Sequence, residues 1–317
     1  MAKSKRFFQK SIFICVVMAF MAMTGSVWGE EATPATPGTS AAPAETATPV
    51  QKQKLDKIND LMAQLSAEGL TEQQKTDILG EILRLAGELA EEAKMTGNTA
   101  LAGEVLNTVS KVTDTLAAVI QASPSDMKII GGVADLSKIA AQITQTVADT
   151  AKAAGNTELA GQALNVVSSM TDNMSGIIQA GSADVKVLSA VADLSKTAAQ
   201  ITQTVAETAK QTGNEDLGER TIAVTGDIKT VTAQITGAAN DIIVTGTDDK
   251  SVKAAETLIE EVRGINGIVQ NAVDLSVQSG ASPPVSENAP KAGTDPTQTG
   301  DVPLDEPVGD SNPASPN

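Results

Sequence analysis

The chain has 317 residues, with 23 Lys and Arg against 39 Asp and Glu, for a net charge of −16. It holds no His and no Tyr, and its four Phe, one Trp and one Cys all fall before residue 30. Beyond that point the residue inventory excludes disulfides, thiolate nucleophiles, imidazole bases, His/Cys metal sites and aromatic platforms, while the acidic field excludes nucleic acid as a partner.

Residues 1–29 carry the three parts of a secretory signal peptide. Lys3, Lys5, Arg6 and Lys10 form a basic head, Ile12 to Met23 an apolar run, and Ser26-Val27-Trp28-Gly29 a cleavage-like site. The run is short for an uncleaved anchor, since a bilayer span takes about 20 residues. Cys15 lies inside this run without a lipobox-like context and reads as an ordinary apolar residue of a removed segment. Removal leaves 19 bases against 39 acids and a net charge of −20. The expected location is the bacterial periplasm, the cell surface or the medium.

Residues 30–50 are rich in Ala, Thr and Pro, lack apolar periodicity and read as a disordered linker. From Gln51 a helical pattern sets in, with Leu55, Ile58, Leu61 or Met62 and Leu65 at three- and four-residue steps. Thr71 then opens a longer helix, with Gln74 in the capping-box position and a stripe of Ile78, Ile82, Leu85 and Leu89.

The rest of the chain is organised by a repeat of 58 residues. Val133 to Lys152 reads VADLSKIAAQITQTVADTAK and Val191 to Lys210 reads VADLSKTAAQITQTVAETAK, differing only at Ile139/Thr197 and Asp149/Glu207. The helix after Thr71 is a diverged earlier copy, because Leu136, Ala140, Ile143 and Val147 follow its stripe at the same spacing. We term these A helices. Each ends alike: Lys94, Lys152 or Lys210 in the last turn, then Gly97, Gly155 or Gly213 as a left-handed stop, then Asn98, Asn156 or Asn214 as turn or N-cap residue. A Gly-Asn pair makes a tight turn and not a phosphate cradle.

A second helix, type B, follows each turn. Its stripe is Val105, Val109, Val112, Leu116 and Val119 in the first unit, then Ala163, Val167, Met170, Met174 and Ile177 in the second. The third unit carries the wetter set Thr221, Thr225, Ile228, Thr232 and Ile235. The 4-3 steps form a heptad seam, in which the two methionines read as core filler. The first B helix ends at Ser123, with Ser123 expected to cap the next A helix, Pro124 to enter it and Asp126 to sit near its positive dipole end. The second closes at Gly181-Ser182 and the third at Gly246-Thr247, seven residues later than the repeat requires. Seven residues is one heptad, so Ala239 and Ile242 extend the stripe without rotating it. A last A helix carries Val252, Ala255, Leu258, Val262, Ile265, Val269 and Ala272, and from 281 the chain is Pro-rich, acidic and aperiodic.

These patterns predict an all-α fold of tandem antiparallel helical hairpins with coiled-coil-like packing, forming an elongated bundle or short solenoid between disordered termini. The helical domain is expected over 51–280, with units at about 71–123, 124–181 and 182–246 and a final helix at 248–279; 281–317 is expected to be a disordered tail. A buried Val or Ile contributes about 1.5–3 kcal/mol and Ala much less, so such a fold gains stability by repetition. The Leu- and Ile-rich first unit should be the firmest and the Thr-rich third the loosest.

No residue set reads as catalytic, cofactor-binding or metal-binding. Asp135 with Lys138, and Asp193 with Lys196, read as surface i,i+3 ion pairs. Asp248, Asp249, Glu260 and Glu261 lack the Asp-x-Asp-x-Asp-Gly loop of a Ca²⁺ site. The expectation is therefore a non-enzymatic exported structural or interaction protein that presents a helical surface to a protein partner or to itself. The alternatives are an apolipoprotein-like lipid binder, disfavoured by the missing interfacial aromatics, and a binder of mineral, ice or polysaccharide, suggested only by Thr197 and Thr208 lying eleven residues apart.

Overall fold

The computed structural model describes residues 47–246 and 248–282, and these form eight helices with no strand among them. The expected signal peptide, most of the expected linker and the tail from 283 onward lie outside the described residues.

The first helix, α1 (Pro49–Leu65), starts two residues earlier than the periodicity predicts. Thr48 and Gln51 form a reciprocal capping box around Pro49, a residue suited to the first helical turn. The A helices are α2 (Glu72–Thr96), α4 (Met127–Ala154), α6 (Val185–Thr212) and α8 (Asp249–Gln278). The B helices are α3 (Thr99–Ala122), α5 (Thr157–Gly181) and α7 (Glu215–Thr245). Gly97, Gly155 and Gly213 are left-handed, at φ of 68°, 62° and 65°, which only a residue without Cβ adopts at little cost. The next residue does two jobs. The Asn98 amide donates back to Ala93 O at 3.0 Å, while its side chain accepts from Leu101 N at 2.9 Å. Asn156 and Asn214 repeat both bonds.

One cap departs from expectation. The N-cap of α4 is Asp126, which accepts from Lys128 N and Ile129 N; Ser123 instead ends α3, and Pro124-Ser125 form the turn between them. Asp184 and Asp248 cap α6 and α8 in the same way. A carboxylate accepts a stronger bond than a hydroxyl and also suits the positive end of the helix dipole.

Consecutive helices pack against each other, and so do helices one repeat apart. The A helices therefore form one row (α2, α4, α6, α8) and the B helices a second (α3, α5, α7), with α1 packed on α2 at the start of the A row. One continuous core lies between the rows. The predicted B stripes are all within it, from Val105 and Leu116 through Met170 and Met174 to Ile228 and Ile235. Thr221, Thr225 and Thr232 are buried as well, because each hydroxyl donates back to a carbonyl of its own helix, at 2.7, 2.6 and 2.9 Å. Ala239 is buried and Ile242 half-buried, so the added heptad does extend the seam. On α8 the stripe from Ala255 to Ala272 is buried and Val252 half-buried.

Candidate interaction surface

The exposed side of the A row is laced by polar bonds between neighbouring repeats. Lys54 on α1 reaches Glu92 and Glu88 on α2, at 2.5 and 3.0 Å. On α2, Lys94 reaches Asp149 of α4 at 3.2 Å, and Glu91 accepts from Thr146 at 3.3 Å. On α4, Lys138 pairs with Asp193 of α6 at 2.7 Å, Gln145 donates to Thr204 at 3.0 Å, and Lys152 pairs with Glu207. The Lys94, Glu91, Lys138 and Lys152 contacts each join residues 55 apart in sequence. That is the repeat length less one helical turn, so the A helices lie side by side with a constant stagger. Gly80 and Gly87 on α2, two turns apart, leave room for Leu136 and Ile143 of α4.

This ladder corrects the expected surface pairs. Lys138 bonds to Asp193 of the next repeat and not to Asp135 of its own helix, and Asp193 does not pair with Lys196. Both differences between the near-identical blocks fit the arrangement. Asp149 and Glu207 each receive a lysine from the preceding repeat, and Ile139 and Thr197 lie toward solvent. Hydrogen bonds from Arg84 and then Lys57 hold the Glu81 carboxyl at about 2.

The ladder stops at α6. Lys196 and Lys210, the counterparts of Lys138 and Lys152, are exposed and make no ion pair among the described residues. Between α6 and α8 a groove of about 260 Å³ opens instead, lined by Ala192, Asp193 and Lys196 on one side and by Glu261, Ile265 and Ile268 on the other. Gly264 also borders it, with no atom within 4 Å of where a Cβ would stand.

The B row is pinned differently. Arg220 on α7 donates through one nitrogen to Gly161 O and to Asn165 Oδ1 on α5, both at 2.9 Å, and a Cβ on Gly161 would obstruct it. Buried Asn173 on α5 donates to Thr113 O on α3 at 2.9 Å. Two turns beyond the Asn165–Arg220 contact, the same register sets Asp172 against Asp227. Burial, and secondly the Asp172 charge, push the Asp227 carboxyl above its usual value.

The four acids considered for Ca²⁺ are not brought together. Asp248 caps α8, accepting from Lys250 N, Ser251 N and Ser251 Oγ, bonds that hold its carboxyl low. Glu260 pairs with Arg263 at 2.6 Å, about 18 Å along the helix at 1.5 Å per residue. Among the described residues no group of three or more His, Cys, Asp or Glu could hold a metal, and no helix is long and apolar enough to cross a membrane. Met170 and Met174 are core residues, and Met174 Sδ accepts from Ser195 Oγ at 3.2 Å. The Asn173–Thr113 and Arg220–Gly161 pins had no readable sequence signal: Gly161 and Asn165 recur as Gly103 and Asn107, but the donors Arg220 and Asn173 have Gln162 and Thr115 at the matching positions.

Two rows of antiparallel hairpins, repeated with a fixed stagger, define an all-α helical repeat protein. No family model matches the chain, and no curated protein does. Solved structures similar to it include the DHF58 filament, at 18% identity and a TM-score of 0.48 over 72% of this chain and 97% of that one. Another is the de novo designed helical repeat protein DHR64, at 18% identity and a TM-score of 0.43 over 71% and 96% of the two chains.

Proposed function

We propose that this chain is a non-enzymatic exported structural or interaction protein, offering its helical repeat surface to a protein partner in the periplasm or at the cell surface. The reading is supported above all by how the chain uses its side chains. Large apolar residues lie between the two rows, and Lys94, Lys138 and Lys152 each pair with an acid of the neighbouring repeat, so the outer face of the A row is held in a fixed arrangement. A surface of that kind is preorganised, which lowers the ordering cost of binding. Export is supported by the pattern of residues 1–29.

The test is capture with the mature protein from its own envelope fraction, run beside sedimentation with and without liposomes. A defined protein partner, together with unchanged helix content and sedimentation on adding liposomes, is the expected result. Helix gained only with lipid would instead make the hairpins open onto acyl chains and end the reading.

A further inference from the structure

We infer that two copies of this chain associate face to face through the outer side of the A row, each inserting Ile139 into the α6–α8 groove of the other. The first ground is Ile139 itself. Among the described residues six large apolar side chains are exposed, and five of them, Val50, Met95, Met127, Val244 and Val277, lie within two residues of a helix end. Ile139 is the sixth, 39% exposed in the middle of α4, on a face whose other members are polar. The near-identical block on α6 has Thr197 at this position, so the repeat itself does not require an apolar residue there.

The second ground is position. Ile139 lies two turns before Thr146, which bonds to Glu91 of α2, so it sits on the seam between α2 and α4. The groove is the corresponding seam on the other side of the row, between α6 and α8. Ion pairs between α4 and α6 join residues 55 apart, which puts Ile139 level with residue 194, between the groove residues Asp193 and Lys196. Knob and groove therefore share one height, each a helix away from the middle of the row. A two-fold axis normal to the face, passing between α4 and α6 at that height, carries each Ile139 onto the groove of the other copy. Such a contact is isologous and closes at two.

The third ground is complementarity. Ala192, Ile265 and Ile268 give the groove of about 260 Å³ its apolar walls, and the space beside Gly264 is open, so an isoleucine side chain fits there. The same axis lays α6 of one copy antiparallel over α4 of the other. Lys196 then comes within two residues of Asp135 of the second copy, about 3 Å along the helix. Both are exposed, and neither makes an ion pair among the described residues. Four helices of 25 to 30 residues, about 40 Å long and about 9 Å apart, present on the order of 1,400 Å², above the roughly 800 Å² per partner of a standard interface. The dimer leaves the B row open, so it goes beyond the partner reading and either can fail alone.

Sedimentation equilibrium of the full mature chain over a range of concentrations tests this. A monomer–dimer equilibrium is the expected result. I139T, the change the repeat itself makes on α6, should weaken it about tenfold or more and leave helix content unchanged. K196E should weaken it as well, and adding D135K in the same chain should recover most of the loss, a rescue that a structural role for either residue within one copy would not produce. A chain that stays monomeric, assembly that runs past two, a dimer indifferent to I139T, or no recovery in the double variant would overturn the two-fold contact.

Discussion

Lys138 and Asp193 lie 55 residues apart in the chain and 2.7 Å apart in the fold, with Nζ donating to Oδ2. The contact ties two repeats where the sequence suggests a pair within one helix. Both side chains are about half exposed, at 43% and 50%, so solvent screens the attraction. A double-mutant cycle over K138A and D193A should therefore give a coupling of about 0.2–1 kcal/mol, falling toward zero at high salt. The hydrogen bond that Lys138 donates to Asp193 holds the lysine pKa above its ordinary value. That contribution is thus present at neutral pH and disappears only as pH rises past the lysine range. Thermal unfolding of the four variants at low and high salt measures it. Equal coupling with the D135A variant in place of D193A would restore the within-helix pair.

The environment of Asp227, partly desolvated and facing the Asp172 charge, works in the opposite sense. A carboxyl whose folded pKa is raised binds protons more readily in the fold than in the unfolded chain, so it costs stability above that pKa and the cost vanishes on acidification. D227N should raise the melting temperature at pH 7 by an amount equivalent to about half a kcal/mol, discounted for exposure. The gain should fade when the comparison is repeated well below the carboxylate range. A loss of stability at pH 7 would mean that Asp227 has a favourable partner.

Much of this arrangement is legible in the residues. Heptad stripes locate the seam, and the Gly-Asn pairs locate the turns, because both are local consequences of helix geometry. Asp126 as a cap was readable too: it aligns one repeat before Asp184, and Ser123-Pro124 offered a competing signal. The ladder was not readable. Which acid a lysine meets depends on the row that places helices one repeat apart side by side, and on the one-turn stagger between them. Asp135 and Asp193 are identical in sequence context, yet only Asp193 has an A helix with a lysine on its preceding side at the right height.

Ser137 and Ser195 occupy the same repeat position with different surroundings. Ser195 Oγ donates to Val191 O at 2.8 Å and lies 3.2 Å from Met174 Sδ; Ser137 Oγ, equally buried, has no hydrogen-bond partner. The counterpart of Met174 one repeat earlier is Leu116, which offers no acceptor. S137A removes an unsatisfied group and improves helix propensity, so it should stabilise the fold by up to about 1 kcal/mol. S195A breaks made bonds and should destabilise it or leave it unchanged. Denaturant midpoints at constant slope provide the comparison, and the ordering S195A above S137A would contradict it.

The seams of the three B helices differ in composition at matched positions. Val105, Val109 and Leu116 on α3 become Thr221, Thr225 and Thr232 on α7, all of them buried. Each change gives up at least one methyl-sized apolar group, at about 0.8 kcal/mol of burial per group, or roughly 2 kcal/mol over three positions. Repeat arrays open locally because each unit is held only by its neighbours. Amides in the middle of α7 should therefore exchange with solvent deuterium through an opening about 2 kcal/mol easier than those of α3, a difference near 30-fold at 1.4 kcal/mol per decade. T225V should narrow that gap. The Thr225 hydroxyl bonds only to Ile222 O, which keeps its helical partner, whereas Thr232 also contacts Asn266 Oδ1 at 3.1 Å and would lose a link to α8. Protection of α7 equal to that of α3 would mean that α8, packed against α7 along its buried stripe, compensates for the wetter seam.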